Sequence, residues 1–330
     1  MNQPRSILAI DVSPFGRSIA LLPIARALRT AFPNAFIAVA TSTGTVELLA
    51  ATGLVDETID LGIIKSSESG GASAFKRLAR LFKQARHHDY DLALDFSPRP
   101  ETQMLLRLVV RARTVTPSRM PHLIEMLIGG APRREGARAT DYENVLQQIG
   151  IGPSDARLRI ALPAEAHAEF ERMLERKGSR GGEPIVVLYS RTGASAWPVE
   201  RFGETGQRLS NNFGARIIAA DEPSDDSFTQ SASALLPETT IKLASPRALE
   251  LAAALARASL VITDEPGLAR LASEMGPPVI EIAGSPGGSE AAGSHRVVRG
   301  SSRERVQADE VFEIACEMLQ DSRSASLFRN

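Results

Sequence analysis

Leu260-Val261-Ile262-Thr263-Asp264-Glu265-Pro266-Gly267-Leu268-Ala269-Arg270 runs from an apolar, β-rich stretch through an acidic turn into a helical pattern. Strands buried on both faces of a parallel sheet read this way, as short apolar runs closed by turn residues. A carboxylate at a strand's carboxyl end can accept hydrogen bonds from a ribose or sugar hydroxyl, and Arg270 follows one turn into the helix. The same residues also suit plain architecture, with Asp264 or Glu265 capping the helix and complementing its dipole.

Strand–turn–helix units continue on both sides of this stretch. In the second half, strands are expected at 185–189, 216–220, 241–243 and 279–282, with helices at 199–212, 224–235, 247–257 and 267–275. A last helix at about 309–319 leads to Ser-rich residues at 322–326, expected to fray. In the first half, strands are expected at 6–11, 36–41, 57–61, 92–96 and 114–116. Ile24, Ala27, Leu28 and Ala31 share one helical face at i, i+3, i+4 and i+7, with Pro23 at its start. Further helices are expected at 45–52, 72–86, 101–111 and 141–149. Between the halves lie a charged helix at 164–177 and Gly178-Ser179-Arg180-Gly181-Gly182, the best candidate for a linker. The organisation is therefore a domain at 1–160, a connection at 161–182 and a domain at 183–330. Alternating strands and helices make the class α/β, with two Rossmann-like, doubly wound parallel sheets expected to face each other across a cleft. Open α/β folds place ligands at the carboxyl ends of such strands.

The bulk composition narrows the function. The 330 residues are 43% apolar and 23% charged, so the chain has enough apolar material for two cores. Residues 1–150 hold 18 basic against 14 acidic side chains, and 76–138 hold 13 against 6. A basic N-terminal half suits an anionic substrate or peripheral association with the inner face of a membrane, although scattered solvated arginines give the same count. Nucleic acid is not the expected partner, because the basic residues lack interleaved aromatics. The single cysteine, Cys316, cannot form an intrachain disulfide, and no Cys/His cluster has zinc spacing, so no metal is expected. Asp11 interrupts the first apolar run, which argues against a signal peptide, and no window approaches about 18 apolar residues. The expected location is cytoplasmic.

Two more strand-to-helix turns carry candidate chemistry. Asp11-Val12-Ser13-Pro14-Phe15-Gly16-Arg17-Ser18 follows the first strand, and Gly16 either serves the turn's geometry or opens backbone N–H groups to a ligand. It matches neither GxGxxG nor a Walker A loop. Tyr189-Ser190-Arg191-Thr192-Gly193-Ala194-Ser195-Ala196-Trp197-Pro198 also ends a strand. Small hydroxyl residues and Gly let a phosphate approach the backbone there, with Arg191 able to neutralise it. Alternatively, the segment is a solvent-facing loop with Trp197 as a packing anchor. The acidic run Asp221-Glu222-Pro223-Ser224-Asp225-Asp226 reads as a solvated loop and helix cap before it reads as a cation site.

In order and distance these segments resemble the lipopolysaccharide heptosyltransferases, glycosyltransferase family 9. Gly16 and the following Leu22-Pro23, Ala27-Leu28 and Phe32-Pro33 look like the family's opening turn and "LP-AL…FP" helix. Val55-Asp56-Glu57 resembles its "VDE", and Tyr90-Asp91-Leu92-Ala93-Leu94-Asp95 its "YDLVID" strand. Gly193-Ala194-Ser195, Trp197-Pro198 and Glu200-Arg201-Phe202 resemble "GAS…WP-ERF". Asp264 to Pro278 occupies the place of "NDSGP-H-A-ALG-P". The similarity spans about residues 6–285.

The resemblance implies a GT-B fold, with the N-terminal domain on the acceptor side and the C-terminal domain binding the donor. It implies inverting transfer of a sugar from a nucleotide-diphosphate donor, in this family ADP-heptose, to a saccharide or glycolipid acceptor in lipopolysaccharide biosynthesis. No cofactor beyond that nucleotide sugar is implied. Ser190, Arg191, Thr192, Ser195, Glu265, Gly267 and Arg270 fall at donor-side positions, and Ser13 and Gly16 at the acceptor-side turn. Arg17 stands where the family has its catalytic aspartate, and a guanidinium does not deprotonate in proteins. Asp11 is the remaining carboxylate of that turn. The alternative reading is a catalytically degenerate GT-B protein that binds a nucleotide or sugar, or scaffolds a partner enzyme.

Overall fold

The computed structural model describes residues 3–63, 79, 83–85, 87–97, 102–103, 106, 113–116, 139–152, 162–179, 181–190, 196–223, 225–284 and 294–327. The chain divides into two compact units, Met1–Leu158 and Arg159–Asn330.

In the first unit the strands are β1 (Ser6–Ile10), β2 (Phe36–Thr41), β3 (Glu57–Asp60), β4 (Leu92–Asp95) and β5 (Arg113–Val115). They form one sheet in the order β3-β2-β1-β4-β5. Every pairing is parallel, as the alternation of strand and helix requires. The strand order reverses beside β1, so loops leaving β1 and β4 part company there. Leu8, Ile10, Ala38, Ala40, Ile59 and Ala93 are buried in the core on this sheet. Helix Leu21–Ala31 lays Leu21, Leu22, Ile24, Ala25 and Leu28 inward. Pro23 lies in its first turn, where its missing N–H deprives no partner.

One arginine ties three segments of this unit together. Arg29 donates Nε to the Leu54 carbonyl at 3.1 Å and Nη1 to the Ala35 carbonyl at 2.8 Å. Its Nη2 reaches the Asp56 carboxylate at 2.6 Å, and Asp56 accepts the Ile37 N–H at 2.8 Å. Burial raises the Asp56 pKa, but the Ile37 N–H and the Arg29 guanidinium outweigh it and hold the carboxyl below its ordinary value. The Val55-Asp56-Glu57 motif is thus an architectural fastening of β2 and β3.

The second unit contains β6 (Ile185–Tyr189), β7 (Arg216–Ala220), β8 (Ile241–Leu243), β9 (Leu260–Thr263), β10 (Val279–Ala283) and β11 (His295–Arg299). Their order is β11-β10-β9-β6-β7-β8, again parallel throughout. Here the order reverses beside β6. The charged helix Ala164–Arg176 belongs to this unit, and its Glu171 pairs with Arg257 of helix Ala248–Arg257 at 2.9 Å.

Three expectations are corrected. The helix expected at 224–235 is only Ser227–Ala232, because the Asp225 carboxylate accepts the Asp226 and Ser227 N–H groups in a turn ahead of it. The last helix is Ala308–Leu327, running through the Ser-rich residues expected to fray. No Gly or Pro interrupts that stretch. Strand β11 was not anticipated: it is an edge strand of polar composition in which only Val298 is buried. The helices expected at 72–86 and 101–111 fall largely outside the described residues. None of the described helices is long and apolar enough to cross a membrane.

Helix Val199–Phe213 packs unusually close to its neighbours because two glycines line its inner face. A Cβ on Gly203 would stand 2.6 Å from Leu235 Cβ and 3.1 Å from the Leu235 carbonyl oxygen. Alanine gains about 1 kcal/mol in helix propensity over glycine, but overpacking against backbone costs about 1–3 kcal/mol. Gly203→Ala is therefore expected to lower the thermal midpoint. A midpoint at or above wild type would show that the Leu235 turn yields freely.

Candidate functional site

Where parallel strands diverge at a change of strand order, the loops leave backbone N–H groups with no ladder partner. In the first unit Asp11 and Asp95 meet this demand. Asp11 follows β1 directly, Asp95 ends β4, and both are fully buried. Asp11 Oδ1 accepts the Ser13 N–H at 3.0 Å, and Oδ2 accepts the Tyr142 hydroxyl at 2.6 Å. Asp95 accepts the Ser97 N–H at 3.2 Å and the Thr102 hydroxyl at 2.9 Å, and Ser97 Oγ in turn accepts the Val12 N–H at 2.5 Å. Tyr142, from helix Ala139–Gln148, stacks on Phe96 with centroids 5.3 Å apart.

The electrostatics follow from that enclosure. Burial pushes the Asp11 carboxyl above the ordinary carboxylate range, against hydrogen bonds from Ser13, Tyr142 and Ser97 that pull it down. Burial, then the Asp11 charge, pushes the Tyr142 phenol far up. Arg17 is half-buried in the short helix Phe15–Ser18, and its carbonyl oxygen lies 3.4 Å from the Tyr142 hydroxyl. Ser13 and Gly16 are buried in the same turn. Asp11 is thus fully enclosed and committed to holding the turn.

In the second unit Asp264 has the matching place. It follows β9, next to β6, and is fully buried. Its Oδ2 accepts the Trp197 N–H at 2.7 Å and lies 3.5 Å from the Ser190 hydroxyl. Trp197 is buried, donates its indole N–H to the Val306 carbonyl at 3.0 Å, and meets Phe202 edge-on at 4.6 Å between centroids. Glu265 caps helix Pro266–Met275, accepting the Gly267 N–H at 3.4 Å, with Pro266 at the first helical position. The capping reading holds for Glu265, while Asp264 fastens a loop through the Trp197 N–H.

The carboxyl edge of this second sheet is acidic. Burial raises the Tyr189 phenol well above its usual value, and Glu222, Glu265, Asp221 and Asp264 add to the effect. Of these, Asp221 accepts the Phe228 N–H at 2.8 Å and the Thr229 N–H at 3.1 Å, so it caps helix Ser227–Ala232. That gives the acidic run its helix-cap role.

Of the donor-side residues named from the sequence, the structure brings Ser190, Glu265 and Gly267 to one edge of the second unit. Arg270 is exposed on helix Pro266–Met275. Arg191, Thr192 and Ser195 lie outside the described residues. Sequence reasoning missed Asp95 and Tyr142. Asp95 carried a signal, as the carboxylate ending an apolar strand; Tyr142 carried none.

No family model and no curated protein matches the chain. Solved structures do match. The glycosyl transferase family 9 protein of Veillonella parvula superposes with a TM-score of 0.75 at 18% identity, over 97% of this chain and 99% of that one. For E. coli ADP-heptose LPS heptosyltransferase II the TM-score is 0.70 at 17% identity, covering 96% and 99%. For an E. coli heptosyltransferase with ADP-2-deoxy-2-fluoro heptose it is 0.63 at 18%, covering 94% and 99%.

The chain has the GT-B fold.

What this GT-B chain shares with those proteins is architecture, and its own residues decide its chemistry. Asp11 offers a direct test of the first unit. Its folded-state pKa lies above the unfolded value, so the folded protein holds the proton more tightly. That contribution is complete below the unfolded value and is lost as pH rises through the folded one. Asp11→Asn should therefore gain stability relative to wild type as pH rises above the ordinary carboxylate value. Tyr142→Phe strands a buried carboxylate oxygen and should lose about 1–3 kcal/mol at neutral pH. Denaturant titrations at several pH values check both; an Asp11→Asn deficit that widens with pH would contradict the assignment.

Proposed function

We propose that this GT-B protein is a glycosyltransferase that takes its sugar from a nucleotide-diphosphate donor held on the second unit. The observation that carries the reading is the grouping of Ser190, Glu265 and Gly267 at the change of strand order, beside the N-terminus of a ten-residue helix. A carboxylate and a hydroxyl suit the hydroxyl-rich parts of such a donor. The positive end of the helix dipole suits its diphosphate. Because the edge is otherwise acidic, the cation needed by the diphosphate comes in this reading from arginine, with Arg191 and Arg270 as candidates.

Transfer would join an acceptor hydroxyl oxygen to the sugar's anomeric carbon as the nucleoside diphosphate departs with the bonding electron pair, with inversion, and the hydroxyl proton passes to solvent. Stabilising the departing diphosphate is the part of that reaction to which these residues are suited. ADP-heptose is the donor indicated by the sequence resemblance and by the ligand named for an E. coli structure of the same fold. The acceptor in this reading is a saccharide or glycolipid, reached in the cytoplasm at the membrane's inner face. Arg17 and the enclosed Asp11 favour one second reading, a nucleotide-sugar binder without turnover.

Calorimetry with ADP and ADP-heptose, followed by turnover assays with lipopolysaccharide-core acceptors, separates these outcomes. The expected result is saturable binding, with Glu265→Ala weakening ADP-heptose about tenfold or more. Glu265→Gln, which keeps the helix cap, should lose less. Binding without transfer would select the second reading, and no binding of any nucleotide or nucleotide sugar would reject both.

A further inference from the structure

We propose that Asp264 is a positioning residue for nucleotide recognition: it sets Ser190 against Glu265 and couples both to Trp197. The inference rests on the donor site just described and adds a residue that would touch no ligand itself.

Three elements meet on this one carboxylate. Ser190 is the first residue after β6, Trp197 lies two residues ahead of helix Val199–Phe213, and Glu265 is the next residue in the chain, capping helix Pro266–Met275. One oxygen, Oδ2, takes the Trp197 N–H at 2.7 Å and stands at the limit of hydrogen bonding, 3.5 Å, from the Ser190 hydroxyl. Asp264 has no exposed surface, so its contacts are made in a low-dielectric setting where geometry is stiff and a lost partner is costly. Trp197 is held independently from its other side, by the indole bond to Val306 and by Phe202. The Trp197 amide is therefore a fixed point, and Asp264 carries that fixed point across to Ser190 and Glu265. Loss of the negative charge lets the Ser190 hydroxyl and the Glu265 backbone drift, and a polar site loosened in this way loses affinity before it loses fold.

Trp197 is the only tryptophan in the chain, so tryptophan emission, excited selectively over tyrosine, reports on this junction alone. The experiment measures ADP and UDP affinity by calorimetry and Trp197 emission for wild type, Asp264→Asn and Gly203→Ala. Gly203→Ala perturbs the same helix at its packing against Leu235, away from the proposed site. Asp264→Asn is expected to weaken nucleotide binding about tenfold and to shift Trp197 emission to the red. Gly203→Ala should lower the thermal midpoint with affinity unchanged. Equal affinity in wild type and Asp264→Asn would overturn the inference, as would an equal loss of affinity in the Gly203→Ala control. If Asp264→Asn does not fold, titration of wild type decides. Trp197 emission should change with the calorimetric saturation curve, and saturable binding with silent Trp197 would overturn the coupling. Wild type that binds neither nucleotide would instead remove the donor-site reading beneath it.

Discussion

Parallel strands that turn to opposite sides of a sheet leave unpaired backbone amides at the point of divergence, and in this protein buried aspartates answer them. Asp264 does so beside β6, and Asp11 and Asp95 do so beside β1. Each carboxylate is wholly buried, a costly state that is tolerated because N–H and O–H donors surround it. The candidate site depends on this arrangement. Ser190 follows β6 and Glu265 comes two residues after the end of β9, and the pairing of Tyr189 with Thr263 brings these two turns side by side. Asp264 then makes the neighbourhood rigid.

The same device has opposite consequences in the two units. In the second, Asp264 is buried and leaves Glu265 part-exposed at the N-terminus of helix Pro266–Met275. In the first, the Tyr142 hydroxyl closes over Asp11 in a turn that also carries Arg17. The two turns thus differ in what they enclose: the first buries its aspartate under a tyrosine, and the second leaves Glu265 part-exposed beside its buried aspartate.

Much of the fold was legible because each β-rich run is short, apolar and followed by a polar turn. Residues 185–189 and 260–263 are buried on both sides, and their sequences contain hardly any other possibility. β11 was hidden because an edge strand needs no such run, and His295-Arg296-Val297-Val298-Arg299 is mostly polar. The length of the last helix is hidden because serine favours chain ends yet does not break a helix, and no Gly or Pro stops this one before Leu327. In the site, Ser190 could be picked out as the first residue after an apolar strand, and Glu265 as part of the acidic turn after another. What Asp264 binds could not, since the Trp197 amide lies 67 residues away in the chain and is brought near only by the pairing of β6 with β9. Tyr142, 131 residues from Asp11, is the same case with no local pattern at all.

The GT-B architecture and the sequence resemblance agree, yet the chemistry is decided by where a nucleotide sits. A crystal structure with ADP is the most direct measurement. The account predicts the diphosphate at the N-terminus of helix Pro266–Met275, with a ribose hydroxyl within hydrogen-bonding reach of Glu265. ADP bound elsewhere on the chain, with Ser190 and Glu265 untouched, would contradict it.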